Sequence, residues 1–441
     1  MHDAFSRGGR LSDGLPLLAA EWKRMAEKII VIGGGAAGLM AAGRAAELGA
    51  SVLLFEKTRH LGNKLRITGQ GRCNLTNNCT VNQCMQHLGA HGAFMHNAFA
   101  RFFVDDLVSF FERLGVPTVT ERGRRVFPAS QRASDVVDAL RRYCLDHGVH
   151  VRRDARVEKI ITNDGEVRGV RVNNTIVAAS GIVLATGGMS YPTTGSTGDG
   201  YEMAKKVGHT ITPLSPGLVP LVTAEDFVPR LQGLSLRNVQ ATLCQDGREL
   251  ASEFGEMLFT HFGVSGPIIL TLSSQLQGEL DTPPVRLHID LKPALSKQTL
   301  DQRLLRDIAE LGTANYHTLL KGLLPRSLIE VFMERSGIPR QQRMSQFTRE
   351  QRKIVIDLLK CFDMTIVGKR SFDEAIITLG GVACDEIVPQ TMASRRVGGL
   401  YLAGEIIDVA GDTGGYNLQI AFTTGYLAGE SAARSLLRQS D

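Results

Sequence analysis

Three glycines, Gly33, Gly35 and Gly38, stand in G-x-G-x-x-G spacing in KIIVIGGGAAGLM, and an acid, Glu56, closes the next apolar run, SVLLF. That combination can hold a dinucleotide. Gly33 permits a tight turn, Gly35 lets the backbone approach a pyrophosphate, and Gly38 lets a helix pack closely on a strand. The helix opens at Ala36 and Ala37, and its N-terminus presents unpaired N–H groups to the anion. Glu56, followed by Lys57, sits where a carboxylate takes both hydroxyls of an adenosine ribose. An acid there disfavours a 2′-phosphate, which narrows the nucleotide to FAD or NAD. The glycine spacing alone is weak; the preceding apolar strand, Ala42 and Gly49 at helix-packing positions, and Glu56 together make it strong.

A second chemical candidate is GQGRCNLTNNCTVNQC (69–84), with Cys73, Cys79 and Cys84. CTVNQC has the C-x4-C spacing that some flavin reductases use as a redox disulfide. Those enzymes also carry a second dinucleotide domain and a C-terminal histidine–glutamate pair, and this chain shows neither. No metal site is expected. His87, His91 and His96 are near, but Gly89 and Gly92 disfavour a rigid helix presenting them, and no Cys-x-x-Cys or HExxH spacing occurs.

Two later stretches decide for FAD. GIVLATGG (181–188) reads as a buried strand ending at Thr186-Gly187, where the chain crosses back beside a dinucleotide. LYLAGEIIDVAGDTGGYNLQIAFTTGYLAG (400–429) reads as a strand ending at Gly404-Glu405, then a turn through Gly414 and Gly415, then a long helix from about Asn417. It resembles the closing segment of the glutathione-reductase-type FAD fold, in which an acid binds the ribityl chain. That fold usually has Asp where this chain has Glu405. The helix would aim its positive end at the flavin N1–C2=O edge. No second G-x-G-x-x-G follows a strand between 60 and 400, so NAD(P)H is expected to dock only transiently.

LGNKLRITGQGRCNLTN (61–77) is similar to a motif of the bacterial NAD(P)/FAD-dependent oxidoreductase family. The usual form is roughly G-x-K-x-x-x-S-G-G-G-R-C-N-x-T-N, with Thr68 and Gln70 here in place of Ser and the middle Gly. SYPTTGSTGDGY (190–201), LFTHFGVSGP (258–267) and LYLAGEIIDVAGDTGGYN (400–417) resemble further motifs in the same order, so the likeness runs from Met25 onward. The family includes bile-acid enone reductases, an aminoacetone oxidase and a dihydrouridine synthase acting on large-subunit ribosomal RNA. The resemblance implies that Lys64, Gly69, Gly71, Arg72, Cys73 and Asn74 line the FAD site, with Tyr416 and Asn417 at its other end. Cys79 and Cys84 fall outside the motif as bystanders. It also implies two-electron chemistry, with hydride delivered from flavin N5 to an activated C=C while a protein acid supplies the proton. Cys73, His261 and Tyr416 are the candidate catalytic groups; a structural role for His261 is equally open, as it is for Tyr191. Uridine in ribosomal RNA is the leading substrate expectation. A small-molecule enone reductase, an aminoacetone-type amine oxidase and an FAD-dependent RNA methyltransferase are the alternatives.

The elements that must position these groups follow from length and pattern. A chain of 441 residues is too long for one small core. The fold expected is α/β: a glutathione-reductase-like, Rossmann-type FAD domain in two parts (25–195 and 374–441). Between them lie an inserted β-rich subdomain (196–293) and a helical cap (294–373). Residues 1–24, ahead of Met25, are expected to be a disordered extension or a translation-start artefact. The 43% hydrophobic and 22% charged content is ordinary, and a net charge of +5 says little about partners. Seven cysteines without a repeated pattern point to a reducing cytoplasm. No stretch is long and apolar enough to span a membrane. Arginine is dense at 121–156, which reads as a solvated face or as a footprint for RNA. The sequence carries no signal of oligomeric state.

Overall fold

The computed structural model describes residues 28–276 and 284–440, so the expected extension at 1–24 lies outside the described residues. The chain forms two compact units. One comprises the chain up to Ser215 and from Ile377 onward; the other is Pro216–Ile376. The first segment of the outer unit therefore runs beyond residue 195. The reason is the helix Asp199–Lys206, whose Tyr201, Met203 and Ala204 are buried in the core of that unit.

The first unit is built on a five-stranded parallel sheet. Its strands in chain order are β1 (Ile29–Ile32), β2 (Val52–Phe55), β3 (His150–Arg152), β4 (Gly181–Leu184) and β5 (Leu400–Leu402). In space the order is β5–β4–β1–β2–β3. All four residues of β1 are buried, as expected of a central strand covered on both faces. The helix α1 (Ala36–Glu47) makes the crossover from β1 to β2. Its small residues admit two neighbours at close range, α2 (Ala133–Asp146) and α3 (Tyr416–Ser440). A Cβ at Gly425 or Gly429 of α3 would lie 2.4 Å from the Ala37 carbonyl oxygen or 2.3 Å from that of Ala41. A Cβ at Gly43 would lie 2.3 Å from the Tyr143 ring of α2. Helix-to-helix contact here is backbone against backbone, and only glycine permits it.

The second unit is a closed six-stranded barrel with four helices. Around the barrel run Leu221–Thr223, Gly263–Ser265, Arg248–Phe259, Ser235–Gln245, Val285–Asp290 and Phe362–Lys369. The last strand comes after the helices Lys297–Leu311, Tyr316–Lys321, Ile329–Ser336 and Arg349–Lys360. The β-rich and helical stretches thus share one hydrophobic core, and the closing strand is supplied from beyond the helical part. No helix among the described residues is long and apolar enough to cross a membrane.

Candidate cofactor site

At the end of β1 the backbone turns at Gly33, with φ +105°. A Cβ there would sit 2.4 Å from the Ala185 carbonyl oxygen, and one on Gly38 would sit 1.8 Å from that of Gly33. Gly35 is different. A Cβ built on it meets nothing within 4 Å. No side chain caps α1, and its first turn holds no acid. The orphan N–H groups of the helix start therefore face open space, as an anion-binding end requires. Ala36 and Ala37 leave that end free of bulk.

Glu56 is held at the tip of β2. One carboxylate oxygen accepts the Gly34 N–H at 2.7 Å, and the other accepts the Thr58 N–H and hydroxyl at 2.8 Å each. Lys57 points elsewhere. Its Nζ donates to Thr197 at 2.6 Å and to Asp199 at 2.7 Å, tying the β2 tip to the 190–201 motif. Burial would raise the Asp199 pKa, but Lys57 and Thr197 hold it below the usual carboxylate value.

Two polar atoms at sequence-predicted positions are buried without a partner: the Thr186 hydroxyl and the Asn74 Oδ1. Buried polar groups are nearly always paired in a folded protein, so both mark places where a bound group would complete the bonding. Gly187 follows Thr186 with φ +73°. Together with the open helix end and Glu56, these residues fit a dinucleotide.

Glu405 is the centre of a polar network. It accepts Lys64 Nζ at 2.6 Å, the Ser190 hydroxyl at 2.8 Å and the Thr378 N–H at 2.8 Å, and Lys64 also reaches Ser190 at 2.5 Å. Burial would raise the Glu405 pKa, yet Lys64 and these donors keep it below its ordinary value. The carboxylate is ionised and largely occupied by this chain's own groups. Ser190 and Thr378 were not singled out in the sequence; Ser190 was legible as the first residue of a motif, whereas nothing local marks Thr378.

The 61–77 motif forms a tight, left-handed loop, with φ of +57° at Gly69, +60° at Gln70, +83° at Gly71 and +62° at Cys73. Arg72 lies over the Phe127 ring at 4.0 Å, donates to Gln131 at 2.5 Å and pairs with Glu121. Its guanidinium braces the loop against the neighbouring segment, in contrast to the cradling role expected. Cys73 is fully buried, and burial pushes its thiol up to about 12. A thiol so placed is neither an exposed nucleophile nor an acid matched to neutral pH.

Thr76 and Asn77 join this loop to the C-terminal turn. The Thr76 hydroxyl donates to Gln419 at 2.6 Å, and the Asn77 amide donates to the Gly414 carbonyl at 3.2 Å. Gly415, with φ +106°, passes so close to Thr76 that a Cβ would lie 2.4 Å from its carbonyl carbon. Gly404 has φ +80° and packs on Ala37, where a Cβ would come within 2.8 Å of the Ala37 Cβ. Both ends of the chain segment thus meet at the start of α1.

The Asn417 side chain is spent on the turn itself, bonding the Gly411 N–H at 2.8 Å and carbonyl at 2.6 Å. The Tyr416 ring is buried and stacks on His87, centroids 4.6 Å apart and planes at 20°. Burial raises its phenol well above the ordinary value. His261 belongs to the second unit, exposed and edge-on to Phe262 at 4.9 Å.

The profile of the HI0933-like protein Rossmann domain matches residues 27–431. The chain belongs to the HI0933-like family. Among its relatives is a 3-dehydro-bile acid delta(4,6)-reductase of Clostridium scindens, 33% identical over 92% of this chain and 99% of that protein. Ribosomal RNA dihydrouridine synthases of Haemophilus influenzae and Escherichia coli are 32% and 29% identical, each over 92% of this chain and 98% of theirs. Like its HI0933-like relatives, this chain is an FAD-dependent oxidoreductase.

Proposed function

We propose that this protein reduces the C=C of a uridine in large-subunit ribosomal RNA to dihydrouridine in the cytoplasm, with NAD(P)H visiting transiently as the electron donor. The observation that carries the reading is full-length similarity to two relatives named for that reaction. The arginine-dense segment supports it: Arg122, Arg124, Arg125, Arg132, Arg141, Arg142, Arg152, Arg153 and Arg156 are all exposed. Exposed cations of this number favour a polyanionic substrate.

Bound FAD supplies the two-electron hydride chemistry. This chain's own residues bind and orient. The open N-terminus of α1 at Gly35 receives the pyrophosphate, Glu56 the adenosine ribose, and Thr186 and Asn74 complete their bonding on the cofactor's polar edges. The start of α3 behind Gly414 and Gly415 offers positive dipole to negative charge developing on the ring. The ionised Lys64–Glu405 pair holds the motif loop to the C-terminal strand end.

The specific alternative is a small-molecule enone reductase, favoured by the bile-acid reductase relative at 33% identity. The two readings share reduction of a conjugated double bond and differ in what enters the site. An FAD-dependent RNA methyltransferase would need a reactive cysteine, and the burial of Cys73 weighs against that role. The deciding experiment is nucleoside mass spectrometry of ribosomal RNA from a deletion strain. Loss of one dihydrouridine, restored by the wild-type gene, is the expected result; unchanged RNA would overturn the RNA reading and leave enone turnover with NAD(P)H to be assayed.

A further inference from the structure

Within the second unit, a cavity of about 540 Å³ opens between the helix Tyr316–Lys321, the turn Arg326–Leu328 and the helix Ile329–Ser336. Its walls carry His317, Lys321, Arg326 and Arg340, and its single carboxylate is Glu330. That carboxylate is already engaged by Arg340 at 2.5 Å, and Arg340 also reaches His317 Nε2 at 3.3 Å. Lys321 and Arg326 are exposed and have no hydrogen-bond or ion-pair partner among the described residues. Apolar Leu324 and Ile329, both buried, form the floor.

Three cations against one spent acid give the pocket an uncompensated positive field. His317 reports it: burial, Arg340 and Lys321 all lower its pKa, so it stays neutral and can donate or accept one hydrogen bond. Crowded like charges are costly unless an anion relieves them. The two unpartnered cations stand in solvent. This suits a large polyanion lying across the opening, which gains from neutralising them without being enclosed; a small ligand would need burial to be held.

We propose that this pocket binds a backbone phosphate of the RNA substrate, with Lys321 and Arg326 as the principal contacts. The assignment rests on the RNA reading of the substrate. It places a sequence-independent contact on the inserted unit, where it would position the RNA without reading its bases.

The test uses FAD-loaded full-length protein and a fluorescently labelled large-subunit ribosomal RNA transcript, with anisotropy followed across a salt series. Wild type should bind, and Lys321→Glu/Arg326→Glu should lower affinity about tenfold or more near physiological salt. Its log-affinity against log-salt slope should be shallower by roughly 2, one phosphate contact per lost cation. Lys321→Arg/Arg326→Lys should retain affinity, and the flavin spectrum of both variants should match wild type. Unchanged affinity and slope in the Glu variant, with wild type binding normally, would overturn the pocket and leave the RNA reading standing. A wild type that does not bind RNA would overturn both. An effect confined to the KM for NADPH, or competition by inorganic phosphate without loss of RNA binding, would assign the pocket to a small phosphate ligand and overturn the proposal.

Discussion

Three glycines of one fingerprint make different demands. Gly38 has no room for a methyl group, because its Cβ would overlap the Gly33 carbonyl oxygen. Gly38→Ala should destabilise the protein by several kcal/mol, read as a large drop in Tm. Gly35 has protein-free space and an ordinary extended φ of −82°. Gly35→Val should leave the flavin-free protein within about 0.5 kcal/mol of wild type yet cut FAD occupancy at least tenfold, by absorbance at fixed added FAD. Equal loss of stability in both variants would contradict this division. Gln70 is exposed and left-handed at a position where the family motif has glycine. Gln70→Gly should therefore stabilise by roughly 1 kcal/mol, the strain relieved less the entropy of a freer unfolded chain. Cys73→Ala should keep kcat within about threefold while costing about 1 kcal/mol of stability, since the thiol packs and does not react. A kcat loss of a hundredfold would return Cys73 to the chemistry.

Segments distant in sequence are joined by a few buried contacts, and these set how far an element was legible. The β1–α1–β2 unit was readable because its signals are local: an apolar run, glycines at fixed offsets, an acid at the strand end. The destinations of Lys57 and Arg72 were not, because their partners Asp199 and Glu121 lie far along the chain and obey no spacing rule. The closing barrel strand Phe362–Lys369 was likewise hidden, since its register is fixed by strands on the other side of four helices. His209 and Glu386 show the same non-local economy. Glu386 bonds His209 Nδ1 at 2.9 Å, the Thr210 N–H and hydroxyl at 2.9 Å each, and Arg396 at 2.7 Å. Burial would raise its pKa, but these donors bring it from 4.5 down to about 2. A carboxylate with a depressed folded pKa stabilises above its unfolded pKa and loses that contribution as pH falls toward the folded one. Stability should thus fall by on the order of 3 kcal/mol between pH 4.5 and about 2 on account of Glu386. Glu386→Gln should flatten that part of the Tm–pH profile while lowering Tm at pH 7.

At the scale of the molecule, two separate cores predict two responses to cofactor. The dinucleotide-binding residues all lie in the first unit, on both of its chain segments. Saturating FAD should raise the thermal transition of that unit, by about 2.7 kcal/mol at a hundredfold excess over Kd, and leave the barrel unit's transition in place. Calorimetry with and without FAD checks this; a single transition that shifts as one would show the units to be energetically coupled. Composition and net charge did not foretell the RNA reading, because exposure of the arginines and the pairing of their neighbours are decided only by the fold.

The edge strand β5 and the helix α3 complete the first sheet from the far end of the chain. During vectorial synthesis the barrel unit emerges whole while its host is still unfinished. The face of α1 that will receive Gly425 and Gly429 waits uncovered until the ribosome has all but reached the stop codon. Newborn copies truncated late, and slow translation of the last forty or so codons, will therefore be the occasions on which this protein most needs a chaperone.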